Sequence, residues 1–381
     1  MNLFIKKLLA SCIRGMFAIL SLLPQQNTIA FLSRQSAKPF DFQLLEPEFN
    51  KHFPEYKTVW ACVPKGGELG IVLFLKQLYL VATSKVCFVD GYVPAVSIPS
   101  AHKSVCIQLW HASGAIKKFG YQCLDTPAGR SSEDAEAFRM HKGYDYVIAG
   151  CYGARPAFAQ AFHVNVGNIL SLGLPRQDYL LSPEYEEMRQ EDIRAVKEQL
   201  GISEGSNAKV VLYAPTFRKG NSNSNWLEEN VMTLARAFAG KDVLLVVAGH
   251  PLDKVFQWEL SNEGVRVVTL ESPTIKALQV ADAVISDYSA IALDAGIIGK
   301  RVLFYVPDIE EYRESPGLNV DPWDVFPIDT FAVAADIVDA CFKEDKYRTK
   351  GTFSAFINEY AGNVEGGSIS SALHLLSGII R

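Results

Sequence analysis

Eleven short runs of Val, Ile, Leu and other apolar residues decide which class of fold is open to this chain. The first set is Thr28–Ser33, Thr58–Val63, Lys85–Asp90, Val105–Trp110, Tyr146–Ala149 and Ile169–Gly173. The second is Val210–Ala214, Val243–Ala248, Val265–Thr269, Ala283–Ser286 and Val302–Val306. None alternates cleanly between apolar and polar, which is how strands read when a parallel sheet buries both of their faces. Polar or helix-like stretches separate them. The expected class is therefore α/β, with two doubly wound, Rossmann-like sheets. A charged helix-like stretch from Ser182 to Arg194 and a loop from Gly201 to Asn207 part the two sets, so the boundary is expected near residue 185. The expected parts are residues 1–25, 26–185 and 186–381.

Residues 3–23 are apolar, with Lys6, Lys7 and Arg14 interspersed. A transmembrane helix needs about 20 mostly uncharged residues, and the run after Arg14 is about half as long. A signal peptide fits the basic start, with Asn27–Ala30 as a weak cleavage site, but cutting there removes the start of the first strand. The favoured expectation is an amphipathic interfacial helix, with cations at the headgroups and Phe4, Leu8, Phe17 and Leu20 in the acyl boundary. Burial against the chain's own second domain competes with it. A formal net charge of −5 argues against a broad nucleic-acid surface, and no nucleic-acid partner is expected. Seven cysteines lie without metal-ligand or redox spacing and read as small buried hydrophobes in a reducing compartment.

Polar residues collect where the apolar runs end, the place at which doubly wound folds hold their ligands. Ser33, Arg34, Gln35, Ser36 and Lys38 follow the first run, and Arg34 and Lys38 could hold a phosphate; a solvated loop explains them equally. The stretch Gln108-Leu109-Trp110-His111-Ala112-Ser113-Gly114 passes from strand to small-residue turn, and Lys117-Lys118 are expected to open a helix. His111 sits where it could take a proton from a hydroxyl, with Ser113, Lys117 and Lys118 near an anion. A satisfied core histidine is the competing reading. In the second half, Thr216, Arg218 and Lys219 offer a hydroxyl and charge that suit a diphosphate. His250 stands just past a strand. Ser286-Asp287-Tyr288-Ser289 is a hydroxyl-rich turn ahead of a helix, which suits phosphate or an ordinary N-cap by Asp287 or Ser289. Glu311 and Arg313 could orient ribose or phosphate, or lie on a helix surface. No Asp or His cluster has metal-ligand spacing, so neither metal nor cofactor is expected.

These stretches resemble the CDP-glycerol glycerophosphotransferases, which build wall teichoic acid and related polymers. Ser286-Asp287-Tyr288-Ser289-Ala290, Leu303-Phe304-Tyr305 and Glu310-Glu311-Tyr312-Arg313 are similar to that family's signature. So are Tyr213-Ala214-Pro215-Thr216-Phe217-Arg218, Gly173-Leu174-Pro175-Arg176-Gln177-Asp178 and Ser33-Arg34-Gln35-Ser36. The His111 stretch looks especially like the teichoic acid primase branch. Two departures stand out: Ala248 replaces the basic residue usual two positions before His250, and Glu365-Gly366-Gly367-Ser368 matches weakly. The resemblance implies a GT-B-like fold, with two Rossmann-like domains facing across a cleft: an acceptor domain, then a CDP-glycerol domain. It implies His111 as general base and His250 on the donor's diphosphate, with Ser286, Asp287 and Ser289 at donor phosphates or glycerol. Arg176 and Asp178 would pair across the cleft or simply start a helix, and the last apolar helix would return to the first domain. The implied donor is CDP-glycerol and the implied acceptor an undecaprenyl-diphosphate-linked disaccharide. The expected location is the cytoplasmic face of the membrane, bound peripherally, with a homo-oligomer left open. A polymerase, a CDP-ribitol-dependent transferase and a non-catalytic nucleotide or headgroup binder are the alternatives.

Overall fold

Six strands, β1 (Gln26–Ser33), β2 (Lys57–Cys62), β3 (Ser84–Val89), β4 (Val105–Gln108), β5 (Tyr146–Ile148) and β6 (Ile169–Leu170), form a wholly parallel sheet in the order β2-β1-β3-β4-β5-β6. Seven more form the second: β7 (Lys209–Ala214), β8 (Val243–Val247), β9 (Ser261–Asn262), β10 (Val265–Thr269), β11 (Ala283–Ser286), β12 (Val302–Tyr305) and β13 (Thr330–Phe331). Their order is β13-β12-β11-β7-β8-β10-β9, with β9 alone antiparallel. This computed structural model describes residues 2–34, 38–64, 69–218, 225–249, 261–262, 265–342, 349–361 and 366–380. All eleven expected strands are present, and β9 and β13 are additional. Helices cover both faces of each sheet, which is why the strands carry apolar side chains throughout instead of alternating.

The chain divides into two compact units, Met1–Ser113 with Phe119–Asp178 and Glu365–Arg381, and Gly114–Lys118 with Tyr179–Val364. The division falls between Asp178 and Tyr179, a few residues before the expected boundary near 185. The short segment Gly114–Lys118 joins unit 2: Lys117 makes an antiparallel bridge to Leu318, and Lys118 N–H donates to the Gly317 carbonyl at 2.9 Å. No helix opens at Lys117-Lys118, because the segment is extended against residues 317–319. The last helix, Ser368–Ile380, belongs to unit 1, where it packs on the helix Phe40–His52.

The core of unit 1 is aromatic. Phe31, in the middle of β1, has the rings of Trp60, Phe42, Phe88 and Phe49 at 4.8, 5.0, 5.8 and 6.1 Å. Arg176 does not pair with Asp178. It forks onto the Asp41 carboxylate (Nε–Oδ2 3.0 Å), while both Asp178 oxygens accept the Ser368 and Ile369 N–H groups at 2.9 and 2.8 Å. Asp178 therefore caps the last helix, satisfying donors that have no partner inside it. In unit 2, alternate residues of β7 and β8 (Val211, Tyr213, Leu245, Val247) meet Val231, Leu234 and Phe238 of one helical layer.

The N-terminal helix spans Leu3–Leu20. Of the four residues expected at an acyl boundary, Phe4 and Leu8 are exposed, Leu20 is half-buried and Phe17 is buried; Ile5 and Ile19 are exposed as well. Two of the helix's three cations are paired within the protein. Lys6 is buried against Asp134 (2.8 Å) and Glu133 (3.5 Å), and Lys7 pairs with Glu136 at 2.8 Å. Asn27–Ala30 lie inside β1, where Ile29 and Ala30 are buried. No helix among the described residues is long and apolar enough to cross a membrane. Phe31→Ala should lower stability by about 3–5 kcal/mol, because four rings lose their common partner. Urea unfolding followed by tryptophan fluorescence checks this, and an unchanged midpoint would remove Phe31 from the centre of the core.

Candidate active site

In unit 1 the strand order reverses beside β1, so the carboxyl ends of β1 and β3 leave a crevice of the kind that holds ligands in open α/β sheets. Ser33 ends β1 and Asp90 follows β3; the Ser33 hydroxyl donates to Asp90 Oδ2 at 3.0 Å. Asp90 Oδ1 is buried with no hydrogen-bond partner among the described residues. Burial pushes the Asp90 carboxyl up to about 7, and the Ser33 hydrogen bond offsets only part of that.

His111 enters this edge through a strained turn. β4 stops at Gln108 because Trp110 adopts φ +59°, a left-handed conformation that a bulky residue rarely takes. The buried Gln108 side chain sustains it, accepting Trp110 N–H at 2.8 Å and donating to the Gly91 carbonyl at 2.9 Å. Trp110 packs on Phe119 and Phe162 at 4.9 and 5.2 Å and on His111 at 4.2 Å. His111 Nδ1 meets the Asp90 carbonyl oxygen at 2.8 Å. A carbonyl only accepts, so this pairing selects the tautomer protonated at Nδ1 and makes Nε2 the basic atom. Ser113 is fully buried where the next loop crosses it; a Cβ at Gly150 would lie 2.5 Å from the Ser113 backbone, so only glycine allows the approach.

The second switch point lies between β7 and β11. Ser286 Oγ donates to the Ala214 carbonyl at 2.9 Å, and Asp287 Oδ1 accepts Thr216 N–H at 2.8 Å, locking the two strand ends together. Arg218 is buried among carboxylates. Its NH2 reaches Asp287 Oδ2 and its Nε reaches Asp308 Oδ2, both at 2.8 Å, and its NH1 donates to the Thr216 carbonyl at 2.7 Å. Burial alone would lower its pKa, but Asp287 and Asp308 reverse that and hold it above the ordinary value. The guanidinium also lies 4.1 Å from the Trp226 ring centroid and 4.8 Å from that of Tyr312. Tyr288 stacks on Tyr312 at 3.7 Å and donates its hydroxyl to Asp308 at 3.0 Å. Arg218 is thus committed to the protein, while Thr216 Oγ1 is buried with no hydrogen-bond partner among the described residues.

The other expected residues fall as follows. The helix Ile291–Ile297 starts at Ala290 with no side-chain cap, so neither Asp287 nor Ser289 caps it, and its two turns give only a weak dipole. Glu311 is exposed on the helix Ile309–Glu314, and Arg313 is drawn to Asp321 (2.8 Å), Asp324 (3.1 Å) and Glu310 (3.2 Å). Arg34 lies beside Tyr92, and Lys38 lies over the Trp60 ring at 5.2 Å. Lys117 and Lys118 fall in unit 2, apart from the unit that carries His111 and Ser113. Gln35, Lys219 and His250 lie outside the described residues. Asp90, Asp308 and Tyr312 are central to the two edges and were not singled out from sequence, although Asp90 and Asp308 each stand just past a strand. Among the described residues one donor group has metal-like spacing, His102, Cys106 and Asp145. Its atoms are engaged by the protein: both His102 nitrogens face carbonyls (2.8 and 2.9 Å), Asp145 accepts Cys106 N–H at 2.8 Å, and burial holds the Cys106 thiol well above its ordinary range. These residues do not fit a metal.

Two parallel-sheet α/β units with polar groups at their switch points define a GT-B-like fold, and solved structures agree. The wall teichoic acid polymerase TagF superposes with a TM-score of 0.76 over 99% of this chain and 97% of its own, at 18% identity. The UDP-GlcNAc 2-epimerase of Neisseria meningitidis gives 0.54 at 12% identity, covering 92% of this chain and 100% of its own. The profile of the CDP-glycerol:poly(glycerophosphate) glycerophosphotransferases matches residues 15–370, and the chain belongs to that family. Among its relatives, the teichoic acid ribitol-phosphate primase of Bacillus spizizenii is 32% identical over 62% of this chain and 60% of its own length. The teichoic acid glycerol-phosphate primase of Bacillus subtilis is 27% identical over 80% of this chain and 77% of its own. The teichoic acid poly(glycerol phosphate) polymerase of Bacillus spizizenii is 24% identical over 95% of both.

Two outcomes test the site's physics. Arg218→Met strands two buried carboxylates and should cost about 3–5 kcal/mol, with Arg218→Lys only partly restoring it because an ammonium cannot fork. Thermal unfolding reads this, and a fully stable Arg218→Met would free Arg218 for a ligand role. The Asp90 carboxyl, about 7 when folded against 3.8 ordinarily, holds its proton better in the folded state. That stabilisation is complete below 3.8 and declines as pH rises to about 7. Asp90→Asn should therefore flatten the fall in stability across this window, and an unchanged pH profile would show that Asp90 does not titrate there.

Proposed function

We propose that this chain transfers glycerol phosphate from CDP-glycerol to a hydroxyl of an undecaprenyl-diphosphate-linked disaccharide, priming a teichoic acid chain and releasing CMP. The observation that carries the reading is the pinning of His111 Nδ1 on the Asp90 carbonyl at the carboxyl edge of β3 and β4, which directs basicity to Nε2. The acceptor hydroxyl gives its proton to Nε2 as its oxygen attacks the glycerol-bearing phosphorus. The bond from that phosphorus to the bridging oxygen breaks, and CMP leaves with the electron pair. Unit 1 supplies the base and the acceptor contacts; unit 2 supplies donor contacts from Thr216 and the turn Ser286–Ser289, with Arg218 shaping that turn. Positioning and charge complementarity supply the rate.

A single addition is favoured over polymerisation by the likeness of the His111 stretch to the primase branch and by the primases among the relatives. The ribitol-phosphate primase at 32% identity supports a second reading, with CDP-ribitol as donor. The acceptor is a lipid, and the exposed apolar residues Phe4, Leu8 and Ile19 of the first helix, with Ile71 and Val72 of the helix Ile71–Thr83, suit docking at the cytoplasmic face of the membrane. CMP release with a short-chain lipid disaccharide tests the reading. His111→Ala should lower kcat by about 100- to 10,000-fold, with one unit added by the unmodified protein. Release from CDP-ribitol alone would favour the second donor, long products would favour a polymerase, and full activity in His111→Ala would make His111 structural. No release from either donor would leave a non-catalytic binder.

A further inference from the structure

The same edge of unit 1 carries two arginines whose charge the described residues leave uncompensated. Arg34 directly follows β1, and Tyr92 lies three residues past the end of the neighbouring β3. The Arg34 guanidinium carbon is 5.7 Å from the Tyr92 ring centroid, and that of Arg130 is 5.3 Å from the same centroid. Arg176, Arg189, Arg218 and Arg313 each have a carboxylate within 3 Å. Among the described residues neither Arg34 nor Arg130 has an ion-pair partner, and Arg34 Nε is buried without any hydrogen-bond acceptor. Asp134 feels the Arg130 charge, but its carboxylate is already engaged by Lys6 at 2.8 Å. Burial and the Arg130 charge both work against the charged form of Arg34, and an anion beside it would relieve both. Tyr92 is fixed by its hydroxyl, which donates to the Phe138 carbonyl at 3.3 Å, so the ring is a firm platform.

We propose that Arg34 and Arg130, held on Tyr92, form an anion site that takes the phosphate or diphosphate group of the acceptor. Two planar forks suit phosphate oxygens better than an ammonium does. The proposal rests on the reading of unit 1 as the acceptor side. It adds a binding site distinct from the base: the rings of Tyr92, His141, Trp110 and His111 follow one another at 5.5, 6.1 and 4.2 Å. One aromatic cluster thus carries both the Tyr92 platform and the base, which suits an acceptor whose diphosphate and reacting hydroxyl are engaged on the same unit. Burial drives the His141 pKa to about 3, so the histidine between them adds no charge of its own.

Two readouts on the full chain test the site, using the exposed Arg130 so that folding is preserved. Calorimetric binding of inorganic pyrophosphate, with CMP saturating, should weaken by roughly 10- to 100-fold in Arg130→Gln and be largely restored in Arg130→Lys. With the diphosphate-linked acceptor, Arg130→Gln should raise the acceptor KM by a similar factor. The kcat and the KM for CDP-glycerol should stay unchanged, and so should the KM for the same disaccharide on a neutral alkyl group. Equal pyrophosphate affinity in both proteins overturns the site. A pyrophosphate effect with an unmoved acceptor KM, or an equal loss on the neutral acceptor, overturns its assignment to the acceptor. Arg130-dependent pyrophosphate binding by a protein that releases no CMP from any donor would keep the site and discard the transferase reading.

Discussion

When every strand of a sheet runs the same way and helices cover both faces, the ladder pairs the backbone within and the side chains between layers must be apolar. Polar groups then collect at one edge, past the carboxyl ends of the strands. Unit 1 obeys this constraint throughout, and unit 2 does so apart from its antiparallel edge strand β9. In unit 1 it gathers Ser33, Arg34, Asp90, Tyr92 and His111; in unit 2 it gathers Thr216, Arg218, Ser286, Asp287 and Asp308. The two edges solve the problem of buried charge in opposite ways. Arg218 is balanced by two carboxylates and stiffens a turn, whereas Arg34 and Arg130 have no such balance among the described residues. A balanced charge shapes a site and an unbalanced one recruits to it.

The strands were legible because burial on both faces writes itself as uninterrupted Val, Ile and Leu. Their ends were less so. Val105–Trp110 reads as one run, yet the ladder stops at Gln108, since nothing in the residue types announces that Trp110 turns left-handed. The two-residue strands β9 and β13 carry too little sequence to show a pattern. His111 was findable because a histidine after a buried strand is conspicuous. Its orientation was not, because it depends on a main-chain carbonyl 21 residues earlier. Arg218 invited a phosphate-binding reading from its type alone, while the acids that occupy it stand 69 and 90 residues away. Sequence gives the type of a charge, and only packing gives its partner.

The first helix shows the same limit. Lys6, Lys7 and Arg14 on an apolar segment suggest attraction to anionic headgroups. Lys6 and Lys7 instead tie the helix to the acidic helix Ser132–Ala137, while Phe4, Ile5, Leu8, Leu9 and Ile19 stay exposed. Cations paired within the protein have less charge to offer an anionic surface.

The cap that Asp178 places on the helix Ser368–Ile380 has a consequence for how the molecule comes into being. The acid and the first N–H it accepts are 190 residues apart. At about 5–20 residues per second of synthesis, they are separated by roughly 10–40 s. During that time the β-sheet of unit 1 is already made, while the surface that its last helix covers stays bare and unit 2 is still growing. Unit 1 is first in the chain but the last to be finished.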